Sequence, residues 1–260
     1  MFINLDFISI SSVIFVLIFT IIMYKKITLK YKSNIPVPDV RIYGGSIGVG
    51  KSYIIEKHAK QLREIGVKVY VWRERVYLFN LQQFYDQIPG SAFTLQSISW
   101  NDKQQIAENI MEIFKNEPTA VHLIERGIQD CCKVFGETLY TTKWPEKKFV
   151  CDNENDLESG KWILTGKEVL AISTAEKLIL TKNFINAYKN SPIWGNCTYI
   201  FVNTSSKKSK QRITNRGRES EQNISEDYLD VLINKYNKLK IWLEGFKSVK
   251  IITLDNNQDY

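Results

Sequence analysis

Polarity changes sharply near the start of the chain. Residues 7–23 are apolar apart from Ser9, Ser11, Ser12 and Thr20, and none of them is charged. A bilayer-crossing helix needs roughly 17–25 such residues, and in lipid only a helix of this length can satisfy its own backbone. The run therefore predicts a membrane-spanning helix. Asp6 precedes it, whereas Lys25, Lys26, Lys30 and Lys32 come after it. A cleaved signal peptide has the opposite order of charge, and a transit peptide would carry arginine. The basic flank places the N-terminus outside and the rest of the chain in the cytoplasm. Residues 1–33 are thus read as anchor and basic juxtamembrane segment, and residues 34–38, with Pro36 and Pro38, as a linker. Residues 39–260 form the folded domain.

Beyond Asp39 the pattern alternates between short β-branched runs and longer amphipathic stretches. Strands are predicted at 40–43, 67–72, 120–124, 198–202 and 249–254, and helices at 52–64, 77–85, 102–114, 168–188 and 225–243. Ser225-Glu226-Asp227 is a helix-start signal for the last helix. Strands alternating with helices imply an α/β domain with a five-stranded parallel sheet covered on both faces. Residues 136–161 are polar and irregular, with Pro145 and Gly160, and read as a surface insertion.

Composition adds little until position is considered. The net charge of +7 implies an anionic partner. Its basic residues gather at 25–32 and 207–218, and the position of the second cluster favours a local phosphate role over a general nucleic-acid surface. Cys131, Cys132, Cys151 and Cys197 have neither metal-ligand nor disulfide-framework spacing, which fits free thiols in a reducing compartment. His58 and His122 are read as structural or solvent-facing.

The strongest chemical signal is Gly45-Ser46-Ile47-Gly48-Val49-Gly50-Lys51-Ser52, a full G-x-x-x-x-G-K-S phosphate loop between a predicted strand and helix. Its glycines let backbone amides converge on an anion, and the helix after it presents its positive end. Lys51 is placed to reach the terminal phosphates of ATP, and Ser52 to ligate Mg²⁺. No guanine-specificity motif of the NKxD type is present.

Three further segments come next in order: Val69-Tyr70-Val71-Trp72-Arg73-Glu74; Val121-His122-Leu123-Ile124-Glu125-Arg126-Gly127, with Phe135 downstream; and Arg212-Ile213-Thr214-Asn215-Arg216-Gly217-Arg218 before the acidic Glu219-Ser220-Glu221. Together with the phosphate loop they resemble the deoxynucleoside kinase family, which includes cellular deoxynucleoside kinases and herpesvirus-type thymidine kinases. The resemblance runs from about Val40 to Asp255 and implies a P-loop kinase fold. It further implies that Glu74 accepts the proton of the substrate 5′-hydroxyl, that Glu125 helps hold Mg²⁺, and that Arg126 steadies the reacting oxygens. Arg212, Arg216 and Arg218 become the nucleotide-binding lid, able to converge on one ligand. Gln96 matches the residue that pairs with the nucleobase, Tyr85 and Glu221 the pair on the deoxyribose 3′-hydroxyl, and Phe79 and Phe135 the aromatics flanking the base. Two positions depart from the family pattern: Arg75 stands where proline usually comes after the glutamate, and Gly127 where serine comes after Glu-Arg.

The expected activity is ATP-dependent phosphorylation of a deoxynucleoside, with thymidine in first place, by a membrane-tethered enzyme. Its expected partners are the deoxynucleoside and membrane lipid through residues 7–23, without nucleic acid; a homodimer is left open. Two alternatives stay open. Arg73-Glu74 also resembles the Arg-Glu pair of thymidylate-type nucleoside monophosphate kinases, and a non-catalytic subunit of the same fold would account for the anchor.

Overall fold

The structure is a computed structural model, and it describes residues 36–75, 90–150 and 161–257. The expected anchor at 7–23 and the expected helix at 77–85 lie outside the described residues. Among the described residues no helix is long and apolar enough to cross a membrane. One compact unit spans Pro38–Tyr260.

Five strands make the central sheet: β1 (Asp39–Gly44), β2 (Val69–Trp72), β3 (Val121–Glu125), β6 (Thr198–Asn203) and β7 (Lys250–Asp255). They lie in the order β2-β3-β1-β6-β7, and every pairing is parallel. Between β3 and β6 in sequence, β4 (Lys143–Val150) and β5 (Lys161–Leu170) form a separate antiparallel ribbon. The helices are α1 (Lys51–Glu64), α2 (Ala92–Asn116), α3 (Glu137–Thr141), α4 (Thr174–Asn190), α5 (Ser206–Arg216) and α6 (Glu226–Glu244), with a π-helical turn at Asp130–Gly136 leading into α3.

Period-two alternation places successive strand residues on opposite faces, and here both faces are buried. Ile42, Ile124, Tyr199 and Phe201 face a core shared with Ile106 and Ile110 of α2, Phe184 of α4 and Leu232 and Leu239 of α6. Their neighbours Tyr43, Leu123, Ile200 and Val202 face a second core closed by Ile54, Ile55 and Ala59 of α1. That arrangement exposes the carboxyl ends of β1, β2 and β3 together, which is where ligands bind in open α/β sheets.

All five expected strands are present, and α1 and α6 run within a residue or so of their expected bounds. Ser225 caps α6 by accepting from the Tyr228 amide. Three expectations need correction. First, α2 begins ten residues before the expected 102. Its early turns are rich in serine, a modest helix former, but Ala92, Gln96, Lys103, Ile106 and Ile110 bury one continuous side. Second, the helix expected from 168 begins at Thr174, because Ser173 and Glu176 form a reciprocal capping box and residues 161–170 pair as β5. Third, residues 136–161 are not uniformly surface: Thr138 and Leu139 of α3 are buried, and the ribbon starts only at Lys143.

Candidate active site

The loop from Gly45 to Gly50 turns β1 into α1. Gly48 and Gly50 take left-handed backbone angles. A Cβ on Gly48 would stand 2.6 Å from the Ser209 carbonyl oxygen, so both conformation and space demand glycine there. Behind the loop, the Val49 carbonyl accepts from Arg212 Nη1 at 3.2 Å and from Asn256 Nδ2 at 2.6 Å. Asn256, just past β7, carries no motif and was not expected.

Lys51 is buried, and its ammonium donates to the carbonyls of Gly45 at 3.0 Å and Ser46 at 2.7 Å. Burial above all, and Arg126 beside it, push its pKa down to about 7, although Glu125 and Glu74 pull the other way. Next to it, Ser52 Oγ donates to Glu125 Oε1 at 2.9 Å. A hydroxyl and a carboxylate touching at the foot of a phosphate loop suit Mg²⁺, which takes few protein ligands and completes its shell with phosphate oxygens and water. Among the described residues no cluster of three or more His, Cys, Asp or Glu side chains forms an all-protein metal site.

Glu74, just past β2, meets Arg126, just past β3, in a mostly buried ion pair. Burial would raise the Glu74 carboxyl, but Arg126, Lys103 and Lys51 outweigh it and bring the pKa down to about 2. Burial likewise acts against the Arg126 charge, but Glu74, Tyr236 and Glu125 together outweigh it, so the guanidinium is held well above its ordinary range. Arg126 is the one non-glycine residue with positive φ among the described residues, at 58°. Such strained backbone persists where its surroundings over-determine it. Here the Arg126 amide donates to Tyr43 O at 3.1 Å, and the guanidinium lies 4.8 Å from the Phe135 ring centre. Its Nε is buried without a hydrogen-bond partner among the described residues.

Lys51, Ser52, Arg73, Glu74, Glu125 and Arg126 line one cleft of about 350 Å³. Leu95, Gln96 and Ser99 of α2 line it as well, with Cys131, Phe135 and Leu139 at successive four-residue steps along the π-turn and α3. Gln96 is buried at this wall. Arg216, Arg218, Glu221 and Tyr228 complete the lining. Glu221 is buried and binds both Arg216 and Arg218, the latter at 3.2 Å.

Most expected site residues therefore share this cleft. The exception among the lid arginines is Arg212, which braces the back of the phosphate loop through Val49 O and reaches Asn256 O at 3.0 Å. Convergence of all three is replaced by two arginines at the cleft and one behind the loop, because Arg212 sits one helical turn before Arg216 and meets the loop first. Phe79 and Tyr85 lie outside the described residues.

Gly127 has a physical reason. A Cβ there would lie 2.3 Å from Gln129 Oε1 and against Ile42, so serine would not fit without moving a buried side chain. Its amide donates to Asp130 Oδ2 at 2.8 Å. Asp130, fully buried, also accepts from Tyr199 and Tyr236, each at 2.7 Å. Burial raises its carboxyl, opposed by these three donors and by Arg126. This network ties β6 and α6 to the turn that presents Arg126. Asp130 was missed in the sequence, where a lone acidic residue past a motif carries no signal. His58 and His122 take structural places, bonded to Tyr43 and Trp72 respectively.

This fold and cleft define a P-loop kinase-like α/β protein. Solved structures of deoxyadenosine kinase from M. mycoides share the fold: that with bound dATP has 16% identity and a TM-score of 0.56, covering 85% of this chain and 92% of that one. The form with bound dCTP has 18% identity and a TM-score of 0.55, covering 85% and 91%. No curated protein matches the chain. Residues 165–260 match the family model described as deoxynucleoside kinase. The family match is confined to residues 165–260, and the likeness to these solved structures is one of fold.

Proposed function

We propose that the protein transfers the γ-phosphoryl group of ATP to the 5′-hydroxyl of a deoxynucleoside. The observation that carries this reading is one cleft lined both by a phosphate loop and by a buried amide, Gln96, with an ionised carboxylate, Glu74, on its wall. An amide both donates and accepts, as a nucleobase edge requires. Phe135 supplies a flat ring for the base.

In the proposed reaction the 5′-oxygen bonds to the γ-phosphorus as the bond to the β-phosphate oxygen breaks, releasing ADP. The hydroxyl proton passes to Glu74. A carboxylate held at about 2 is a weak base, but the loose transition state of phosphoryl transfer asks little of it until late. Arg126 pairs with Glu74 in the cleft, and its Nε has no hydrogen-bond partner among the described residues. When phosphate oxygens share Arg126, Glu74 loses part of that counter-charge and becomes a better acceptor. Bound Mg²⁺, held through Ser52 and Glu125, would neutralise phosphate charge. Arg216 and Arg218 on the lid would add positive charge and help exclude water.

A pyrimidine, thymidine first, is the base we propose, from the Gln96 environment. Arg73 also lines the cleft, 3.7 Å from Glu125. That cation favours a second reading, in which the acceptor already carries a phosphate. One radiolabelled-ATP screen separates the two, with the four deoxynucleosides and thymidine monophosphate as acceptors. Phosphorylation of a deoxynucleoside at least tenfold faster than the monophosphate is expected (about 1.4 kcal/mol in transition-state binding). Transfer to the monophosphate alone would replace the proposal, and transfer to none would point to a non-catalytic subunit.

We further propose that residues 7–23 hold the kinase domain at the cytoplasmic face of a membrane. The support is their apolar run and basic flank. The full chain should float with liposomes through a density gradient and resist alkaline extraction, and a chain starting at Pro38 should do neither. Extraction of the full chain by alkali would count against a spanning helix.

A further inference from the structure

Asp102 and Lys103 are adjacent residues on α2, and neither lines the cleft, yet both are almost completely buried, at 3% and 1% exposure. Lys103 Nζ donates to the backbone carbonyl of Glu125 at 3.1 Å, immediately before Arg126. Asp102 Oδ1 accepts from Arg75 Nε, immediately after Glu74. The two side chains also pair with each other, Nζ to Oδ2, at 3.4 Å. One turn of one helix thus grips the end of β2 next to Glu74 and the end of β3 next to Arg126.

Burying a lysine and an aspartate is costly, and a well-packed apolar pair of similar volume would commonly be as stable or more so. Stability alone gives weak reason for charges here. Both charges, however, end on segments that carry the reacting groups. The Lys103 bond reaches the residue before the strained Arg126 backbone, where a carbonyl must be held if the next residue is to keep φ near 58°. The same helix presents Gln96 and Ser99 to the cleft.

We infer that Asp102 and Lys103 form a positioning clamp that sets Glu74 and Arg126 in register with each other and with the Gln96 wall. Neither residue touches the reactants. They act by fixing two strand ends whose relative placement decides whether the base and the phosphate-stabilising arginine meet the same oxygen, and a misplacement of about 1 Å in such a site can cost on the order of 10²-fold in rate. This inference rests on the kinase reading for its kinetic consequence but not for its geometry.

The test compares Lys103→Met, Lys103→Arg and the paired Asp102→Leu/Lys103→Met variant with the unmodified full chain. The paired variant removes both buried charges together, so it should fold and melt at or above the parent temperature. It should nevertheless lose about tenfold or more in kcat with little change in KM for ATP, whose phosphate loop is untouched. Lys103→Arg, which keeps a donor, should recover part of the loss. A second readout needs no turnover. The charges facing Glu74 come from Arg126 past β3, Lys51 on α1 and Lys103 on α2. Carbon-13 NMR titration of the Glu74 carboxyl should therefore move up in Lys103→Met and return in Lys103→Arg. Parent-like kcat in the folded paired variant, or an unmoved Glu74 titration in Lys103→Met, would overturn the clamp. If the unmodified chain phosphorylates no acceptor, the kinase reading fails, and an unmoved Glu74 titration in Lys103→Met would still overturn the clamp.

Discussion

Glu74→Gln is expected to lower kcat by about 10²–10⁴-fold, the usual contribution of a positioned base, while ATP binding stays close to that of the parent. Glutamine keeps the size of the side chain and one oxygen for Arg126 but cannot take a proton. Single-turnover kinetics with radiolabelled ATP would measure the loss, and undiminished turnover with nucleoside still bound would remove Glu74 from the mechanism. The same substitution has a stability consequence with a definite sign. The carboxyl ordinarily titrates at 4.5 and is held at about 2 in the fold. Its pairing with Arg126 therefore stabilises the protein fully above pH 4.5, and that contribution is lost as pH falls toward 2. Removing one member of a buried ion pair costs ~3–5 kcal/mol, and glutamine, still an acceptor, belongs at the low end. Parent and variant should differ most in melting temperature at neutral pH and converge in acid.

Lys51→Met is expected to reduce kcat/KM for ATP by on the order of 10²–10³-fold, as loss of one donor to a transferring group does. A sharper consequence comes from burial. Held at about 7 in place of its usual 10.5, the Lys51 side chain is largely the neutral amine in the ligand-free protein at pH 8. Phosphate oxygens favour the charged form, so ATP binding at that pH should take up a proton. Calorimetric titration in two buffers of different ionisation enthalpy would show the uptake, and Lys51→Met should abolish it. Equal heats in both buffers for the parent would mean that Lys51 stays charged throughout. The sign for stability is also fixed. Between about pH 7 and 10.5 the unfolded chain holds the Lys51 proton more tightly than the fold does, so this residue makes the ligand-free protein more stable as pH rises through that window. The variant should lack that slope.

Legibility in the sequence depended on whether information was local. Strands were readable because short, nearly continuous β-branched and aromatic runs such as Val40–Tyr43 and Thr198–Val202 suit a sheet covered on both faces. The phosphate loop was readable because its function requires a fixed spacing of glycines, lysine and serine within eight residues. Glu74, Glu125 and Arg126 were singled out by the resemblance of their segments, taken in order, to the deoxynucleoside kinase family rather than by any one residue. Sequence reasoning was weaker wherever packing overrode propensity. The early turns of α2 have little helical signal, yet they bury Ala92 and Gln96. β5 went unread between the expected insertion and the expected helix, overlapping the latter only at 168–170, because antiparallel pairing with β4 is a non-local event.

By itself the sequence determined that this chain builds a strand-to-helix phosphate loop and sets two carboxylates and an arginine at strand ends. Spacing along the chain encodes these, because the backbone's reach around a phosphate and the strand's alternation are local properties. Only the tertiary structure decided that Arg212 braces the loop while Arg216 and Arg218 meet Glu221 at the cleft. It alone decided that Gly127 leaves room for Gln129, and that Asp130, Asp102 and Lys103 hold the reacting turns from behind. Those contacts join residues up to 163 positions apart. Their energies come from burial and from partners that only folding brings together.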